Sequence, residues 1–75
     1  MLDDGTYDVI VVDAERLEGE PLPTLRLEVA LLDGAHKGEV VSMRAAGLAV
    51  DELDALGLPG TLTVSGGEPT IALDR

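Results

Sequence analysis

The chain has 75 residues, no cysteine, and fifteen Asp and Glu against five Lys and Arg, which gives a formal net charge of −10. This length suits one domain, residues 1–75, and the lack of cysteine excludes disulfides and thiolate metal sites. Apolar residues make up 45% of the sequence, too many for a disordered acidic tail. The negative field disfavours binding to a phosphate backbone. We expect a cytoplasmic protein with no membrane segment, because no leader or long apolar run is seen.

The first half of the chain carries the patterns of two strands. Residues 5–16 are rich in β-branched side chains, which favour a strand. The apolar row of this first strand consists of Tyr7, Val9 and Val11. Residues 17–23 hold two prolines and two glutamates and predict a loop. Residues 24–33 then alternate apolar and polar side chains, which predicts a second strand with Leu25, Leu27, Val29 and Leu31 on its buried face.

A hairpin loop follows at residues 34–38, where a glycine stands at each end. Pairing Asp33 with Glu39 predicts the register of the second and third strands. The predicted pairs are Leu31 with Val41, Val29 with Met43 and Leu27 with Ala45 on the buried face, and Glu28 with Arg44 outside.

Residues 49–56 change to a helical period, with Val50, Leu53 and Leu56 in one apolar row. Gly57 suits the left-handed position that ends a helix. We therefore expect a short helix of about two turns.

The last segment predicts a hairpin. Gly66-Gly67 suits a two-residue primed turn between strands at residues 60–65 and 68–74. Counting outward from this turn pairs Thr63 with Thr70 and Leu62 with Ile71. Pro69, which has no N–H, then belongs on an edge strand.

Three strands, a short helix and a hairpin predict a mostly-β fold, an OB-like, partly open barrel of five strands. An open sheet with the helix packed on one face fits the same pattern. The segments GTYDV at residues 5–9, LEVALLDG at 27–34 and KG at 37–38 resemble a phage- and plasmid-type family of small OB-fold proteins. The likeness covers roughly the first half of the chain.

That resemblance implies a role near single-stranded DNA. The sequence departs from it in two ways, since the chain is strongly acidic and Tyr7 is its one aromatic residue. A platform on which bases stack needs several aromatic side chains. Tyr7 is expected at the end of the barrel, with its ring in the core and its hydroxyl at the rim.

The first strand is apolar on both faces, which predicts an apolar patch outside the barrel. If Val11 pairs with Val29, Ile10 lies beside Ala30, and Asp8 lies beside Leu32. The predicted interface residues are Ile10, Val12, Ala30 and Leu32, with Val40 as a neighbour. Either a protein partner binds this patch, or the helix or the N-terminal segment covers it, or the first strand is central in the sheet and buried on both faces.

The basic residues form a second candidate surface, a ligand face on the second and third strands. Its predicted members are Arg26, His36, Lys37 and Arg44. The alternatives are a solvated turn at His36 and Lys37 and a cross-strand pair between Glu28 and Arg44.

We expect no enzyme, metal or cofactor, because the serines, carboxylates and single histidine match no catalytic or metal-binding spacing. The sequence predicts a non-enzymatic interaction module that binds a protein partner, either as a homodimer or as an accessory subunit. One alternative is a single-stranded nucleic-acid-binding OB-fold protein. Another is an acidic decoy that imitates nucleic acid and occupies a DNA-binding protein.

Overall fold

The computed structural model of the chain describes residues 2–47 and 50–74. Within them lie the strands and helix β1 (Gly5–Leu17), β2 (Thr24–Leu31), β3 (Val40–Ala46), α1 (Glu52–Ala55), β4 (Pro59–Ser65) and β5 (Glu68–Leu73). The strands form one antiparallel sheet in the order β3-β2-β1-β4-β5. The sheet curls into a half-barrel in which β3 approaches β5. The predicted mostly-β, OB-like, partly open barrel with one short helix is confirmed.

The core lies inside the curl of this sheet. The predicted apolar face of β2 is buried along its whole length. Its neighbours on β1, β3 and β4 complete the core, whose buried apolar residues are Val9, Val11, Leu25, Leu27, Val29, Leu31, Met43, Ala45, Ala55, Leu62 and Val64. Each fully buried Leu or Val side chain contributes about 1.5–3 kcal/mol relative to an exposed one.

A β-bulge in β1 changes which of its residues face the core. Val11 pairs with Val29 as predicted, but the register shifts between Val11 and Asp13, so Val12 is an extra residue in the strand. Beyond this point Ala14 pairs with Leu27 and lies on the core side. Asp13 therefore stays on the outer face, which regular alternation from Val11 would not allow.

The β2–β3 hairpin differs from its predicted register. Leu27 pairs with Met43 instead of Ala45, and Arg26, not Glu28, lies opposite Arg44. The predicted Glu28–Arg44 pair is therefore wrong. The remaining observed pairs are Leu25 with Ala45, Val29 with Val41 and Glu28 with Ser42.

The reason for this difference lies in the loop, which is longer than predicted. The N–H of Gly38 donates to the carbonyl of Leu31, and the N–H of Leu31 donates to Glu39. Two successive turns close the loop, with Lys37 donating to Gly34 and Glu39 donating to His36. The shift is an even number of residues, so the buried face of each strand is the one predicted.

The helix α1 is shorter than predicted. The predicted start at Ala49 lies outside the described residues, and Asp51 is extended and acts as the N-cap, its carboxylate accepting the N–H of Asp54 at 2.9 Å. Gly57 takes a positive φ of 81° after the helix, as predicted. The chain therefore forms a single helical turn between Asp51 and Gly57.

The predicted apolar row of this helix does not form a single buried face, although Val50, which precedes the helix, packs against the core. Ala55 is fully buried, while Leu53 is 77% exposed and Leu56 is 45% exposed. The Asp51 cap sets the phase of the turn so that Ala55 packs on the core. Its small side chain allows the turn to lie close to the sheet.

The β4–β5 hairpin confirms its predicted register, with Thr63 opposite Thr70 and Leu62 opposite Ile71. Gly66 and Gly67 have φ values of 59° and 82°, as a type I′ turn requires. β5, which carries Pro69, is an edge strand, as predicted.

Candidate interaction surface

A row of apolar side chains crosses four adjacent strands on the outer face of the sheet. Ile10 of β1 pairs with Ala30 of β2 and with Pro59 of β4, and Ala30 pairs with Val40 of β3. Residues directly opposite each other on neighbouring strands present their side chains to the same face. The outer apolar patch is defined as Ile10, Ala30, Val40 and Pro59 with the flanking Val12 and Leu32.

Most of this patch is open to water. Val40 is 56% exposed, Val12 49% and Leu32 44%. β1 is central in the sheet, as one alternative expected, but it is not buried on both faces. Ile10 and Ala30 are half-buried, since strands flank them on both sides. Contiguous exposed apolar side chains on a small protein often mark a surface that binds another molecule.

The N-terminal segment, one of the two predicted covers, lies elsewhere. Leu2 packs against the core, and the carbonyl of Asp3 accepts the hydroxyl of Tyr7. The carboxylate of Asp4 accepts the N–H of Gly66 in the β4–β5 turn at 3.2 Å. These contacts hold the segment at the end of the barrel, where Leu2 lines a cleft with Val40 but leaves Val40 56% exposed. Tyr7 packs against the core, in the place predicted for it.

The helix, the other predicted cover, leaves Val12 exposed. The N–H of Gly57 donates to the carbonyl of Val11 at 2.9 Å, so the end of α1 lies against the bulge that carries Val12. Leu53 and Leu56 of this segment are themselves exposed.

Arg26, at the centre of the predicted ligand face, is surrounded by carboxylates. Its guanidinium lies 3.2 Å from Glu15, 3.2 Å from Glu28 and 3.5 Å from Asp13. The hydrogen bonds to Glu15 and then to Glu28 raise the pKa of Arg26 above its ordinary value. Asp13 and Glu15 reach this face because the bulge reverses the alternation of β1. The guanidinium of Arg26 therefore binds carboxylates of its own chain.

Arg44 lies opposite Arg26 on β3. Its side chain is 71% exposed and lies 3.4 Å from Glu20. Exposed pairs of this kind contribute little stability. Arg44 is thus the more accessible of the two arginines on this face.

His36 and Lys37 lie in the β2–β3 loop and not beside the two arginines. The Nδ1 of His36 contacts the carboxylate of Glu39, and Lys37 is exposed. The patch residue Val40 and the length of β3 separate the loop from Arg44. The four predicted ligand-face residues therefore lie in two separate regions of the surface.

A cleft of about 290 Å³ lies at the seam between β3 and β5. Its lining is mainly aliphatic and consists of Leu2, Glu39, Val40, Val41, Val64, Gly67 and Pro69. A second cleft of about 190 Å³ continues along the seam beside Met43 and Ile71. Among the described residues that line the two clefts, no nucleophile is paired with a base.

Within residues 2–47 and 50–74, no three His, Asp or Glu side chains are grouped so that they could hold a metal ion. In the same part of the chain, no helix is long and apolar enough to cross a membrane. Comparisons with protein-family models, with curated proteins and with solved structures gave no match.

Proposed function

We propose that this chain is a non-enzymatic interaction module that binds a protein partner through the outer apolar patch. The observation that carries the proposal is the cross-strand row from Val40 through Ala30 and Ile10 to Pro59. Neighbouring strands lie about 4.8 Å apart, so the row spans about 14 Å. That width suits the apolar centre of a small protein interface.

The surroundings of the patch support this function. Asp8, Ser42 and Thr61 lie in the neighbouring outer-face rows, next to the apolar row. An apolar centre within a polar, solvent-accessible rim is the usual anatomy of a protein interface. Burying the patch removes apolar surface from water at about 25 cal/mol per Å², which provides the driving force for association.

Binding of single-stranded nucleic acid has less support. Arg26 is occupied by three carboxylates, which a phosphate would have to displace. Tyr7 packs against the core, so its ring is not presented on the sheet for stacking. Binding of this class depends on an open positive groove and exposed aromatic rings.

The proposal is tested by using three forms of the chain as bait in a lysate of its source cells. These are the wild type, Ile10→Thr/Val40→Thr, and the control Thr63→Ser/Thr70→Ser on the outer face of β4 and β5. Threonine keeps the β-branched shape that strands favour while it removes apolar surface. We expect a protein that the wild type and the control retain and that the patch variant loses.

Two further measurements complete the test. Urea unfolding of all three forms shows that each variant is folded. A fluorescence-anisotropy titration with labelled single-stranded DNA measures the competing function. The proposal is wrong if the folded patch variant retains the same proteins as the wild type, or if no form retains any protein. It is also wrong if the labelled DNA binds saturably with an affinity that falls as the salt concentration rises.

A further inference from the structure

We infer that the occupant of the outer apolar patch is a basic protein surface and not a second copy of this chain. The inference rests on the proposed function and adds the chemistry of the partner. It is carried by the charges that border the patch and by the pairing of the chain's own cations.

Carboxylates border the patch on three sides. Asp8 lies in the row next to Ile10, where its carbonyl accepts the N–H of Leu32 at 2.9 Å. Asp74 lies beyond Pro59 in the same row, donating its N–H to the Pro59 carbonyl at 2.8 Å. Both side chains are exposed. Within the described residues neither forms an ion pair.

The third side of the patch is the row of outer-face residues that follows the β1 bulge. Glu28 pairs with Asp13 there, and the single guanidinium of Arg26 serves both carboxylates together with Glu15. Three carboxylates against one cation leave this side negative.

Among the residues that the structure describes, the remaining cations do little to offset this rim. Arg16 is paired with Glu52 at 3.1 Å, and Arg44 with Glu20 at 3.4 Å. Lys37 is exposed in the β2–β3 loop, next to Leu32 and Val40, but the exposed Asp33 and Glu39 lie in the same loop. With a net charge of −10 over the whole chain, the field around the patch is negative.

This charge pattern selects between two occupants. In a two-fold dimer the same patch faces itself, so Asp8 and Asp74 of each copy would meet a second acidic rim. Like charges brought together at an interface oppose association. A partner with Lys or Arg around apolar side chains would instead be attracted by the same rim.

The test uses two synthetic helical peptides of equal length, one built from Leu and Lys and the other from Leu and Glu. Each is titrated into the ¹⁵N-labelled full chain, and the amide shifts are followed by NMR. We expect the Leu/Lys peptide to shift the amides of Ile10, Ala30 and Val40, and the Leu/Glu peptide to leave them unchanged. Raising the salt from about 0.05 M to about 0.3 M should weaken binding by about tenfold, because exposed charges are screened.

Matched variants separate the rim from the overall charge. Asp8→Asn/Asp74→Asn removes two charges at the patch, and Glu18→Gln/Glu68→Gln removes two exposed charges elsewhere. We expect the rim variant to raise the Kd of the Leu/Lys peptide by about fivefold and the control by less than about twofold, since screening limits remote charges. Ile10→Thr/Val40→Thr should abolish the shifts.

The outcomes distinguish the inference from the function beneath it. Equal weakening by the two charge variants, equal binding of both peptides, or no binding of the Leu/Lys peptide overturns the basic partner. Light scattering adds one more outcome. If the wild type is a dimer and Ile10→Thr/Val40→Thr is a monomer, the basic partner is overturned, but the patch is still a protein interface. Unchanged Leu/Lys binding by that folded variant overturns both.

Discussion

Gly60 is the residue at which β4 has no room for a side chain. It is buried opposite Leu73, and a Cβ there would lie 2.7 Å from the Ala72 carbonyl oxygen and 3.1 Å from Leu73 Cδ2. The carbonyl belongs to the β5 backbone, so relief requires that strand to shift. We expect Gly60→Ala to lower the free energy of unfolding by about 1–3 kcal/mol. Urea denaturation measures this against the neighbouring Thr61→Ala, and equal midpoints for Gly60→Ala and wild type would contradict it.

A second prediction at the residue scale concerns the balance between the charge of Arg26 and the carboxylates around it. Replacing it by Gln leaves Asp13, Glu15 and Glu28 close together with no cation between them. We expect Arg26→Gln to lower the thermal midpoint at low salt, and the loss to shrink as salt rises because exposed charges are screened.

The matched control for this charge change is Arg44→Gln. Among the described residues Arg44 has one acidic partner, Glu20 at 3.4 Å, and its side chain is 71% exposed, so its removal should have a smaller effect. Equal losses for the two variants, or a loss at Arg26 that salt leaves unchanged, would show that the cluster of three carboxylates is not the cause.

At the scale of elements, the one-turn helix depends on its cap. Asp51 accepts the N–H of Asp54 at 2.9 Å, and the turn places Ala55 in the core. We expect Asp51→Ala to cost about 0.5–2 kcal/mol of stability. Asp54→Ala removes the same charge but leaves the capping carboxylate in place, so it should cost less. Chemical denaturation of both variants checks this, and an equal cost would assign the effect to charge alone.

The elements also show where local sequence patterns succeed. The β4–β5 register was predictable because Gly66-Gly67 permits few turn geometries, and two adjacent positive φ values fix the pairing. The β2–β3 register was not, since the flanking glycines of that loop allow several lengths. The bulge at Val12 leaves no mark in a β-branched run, because an extra valine looks like one more strand residue.

At the scale of the whole molecule, part of the outer apolar patch was predictable from the sequence. Ile10 and Ala30 are neighbours once Val11 is paired with Val29, a step that local alternation supports. Pro59 was missed because it joins the row only through the pairing of β1 with β4, strands that are far apart in the chain. Exposure of the patch depends on the path of the N-terminal segment and α1, which no periodic pattern specifies.

The seam between β3 and β5 distinguishes this half-barrel from a closed barrel, and backbone geometry makes it testable. The N–H of Asp74 donates to the Pro59 carbonyl at 2.8 Å. Hydrogen-bonded and non-hydrogen-bonded pairs alternate along an antiparallel ladder. The N–H of Ala72 therefore points to β4, and that of Ile71 points to the seam.

We expect these two adjacent amides to exchange with solvent at different rates. Ala72 should be protected by its bond to β4, and Ile71 should exchange at least about tenfold faster, as unpaired amides do. Amide hydrogen exchange followed by NMR measures both in one sample, so the strand supplies its own control. Similar protection of Ile71 and Ala72 would mean that β3 pairs with β5 in solution. The barrel would then be closed, and the cleft along the seam would not be open to a ligand.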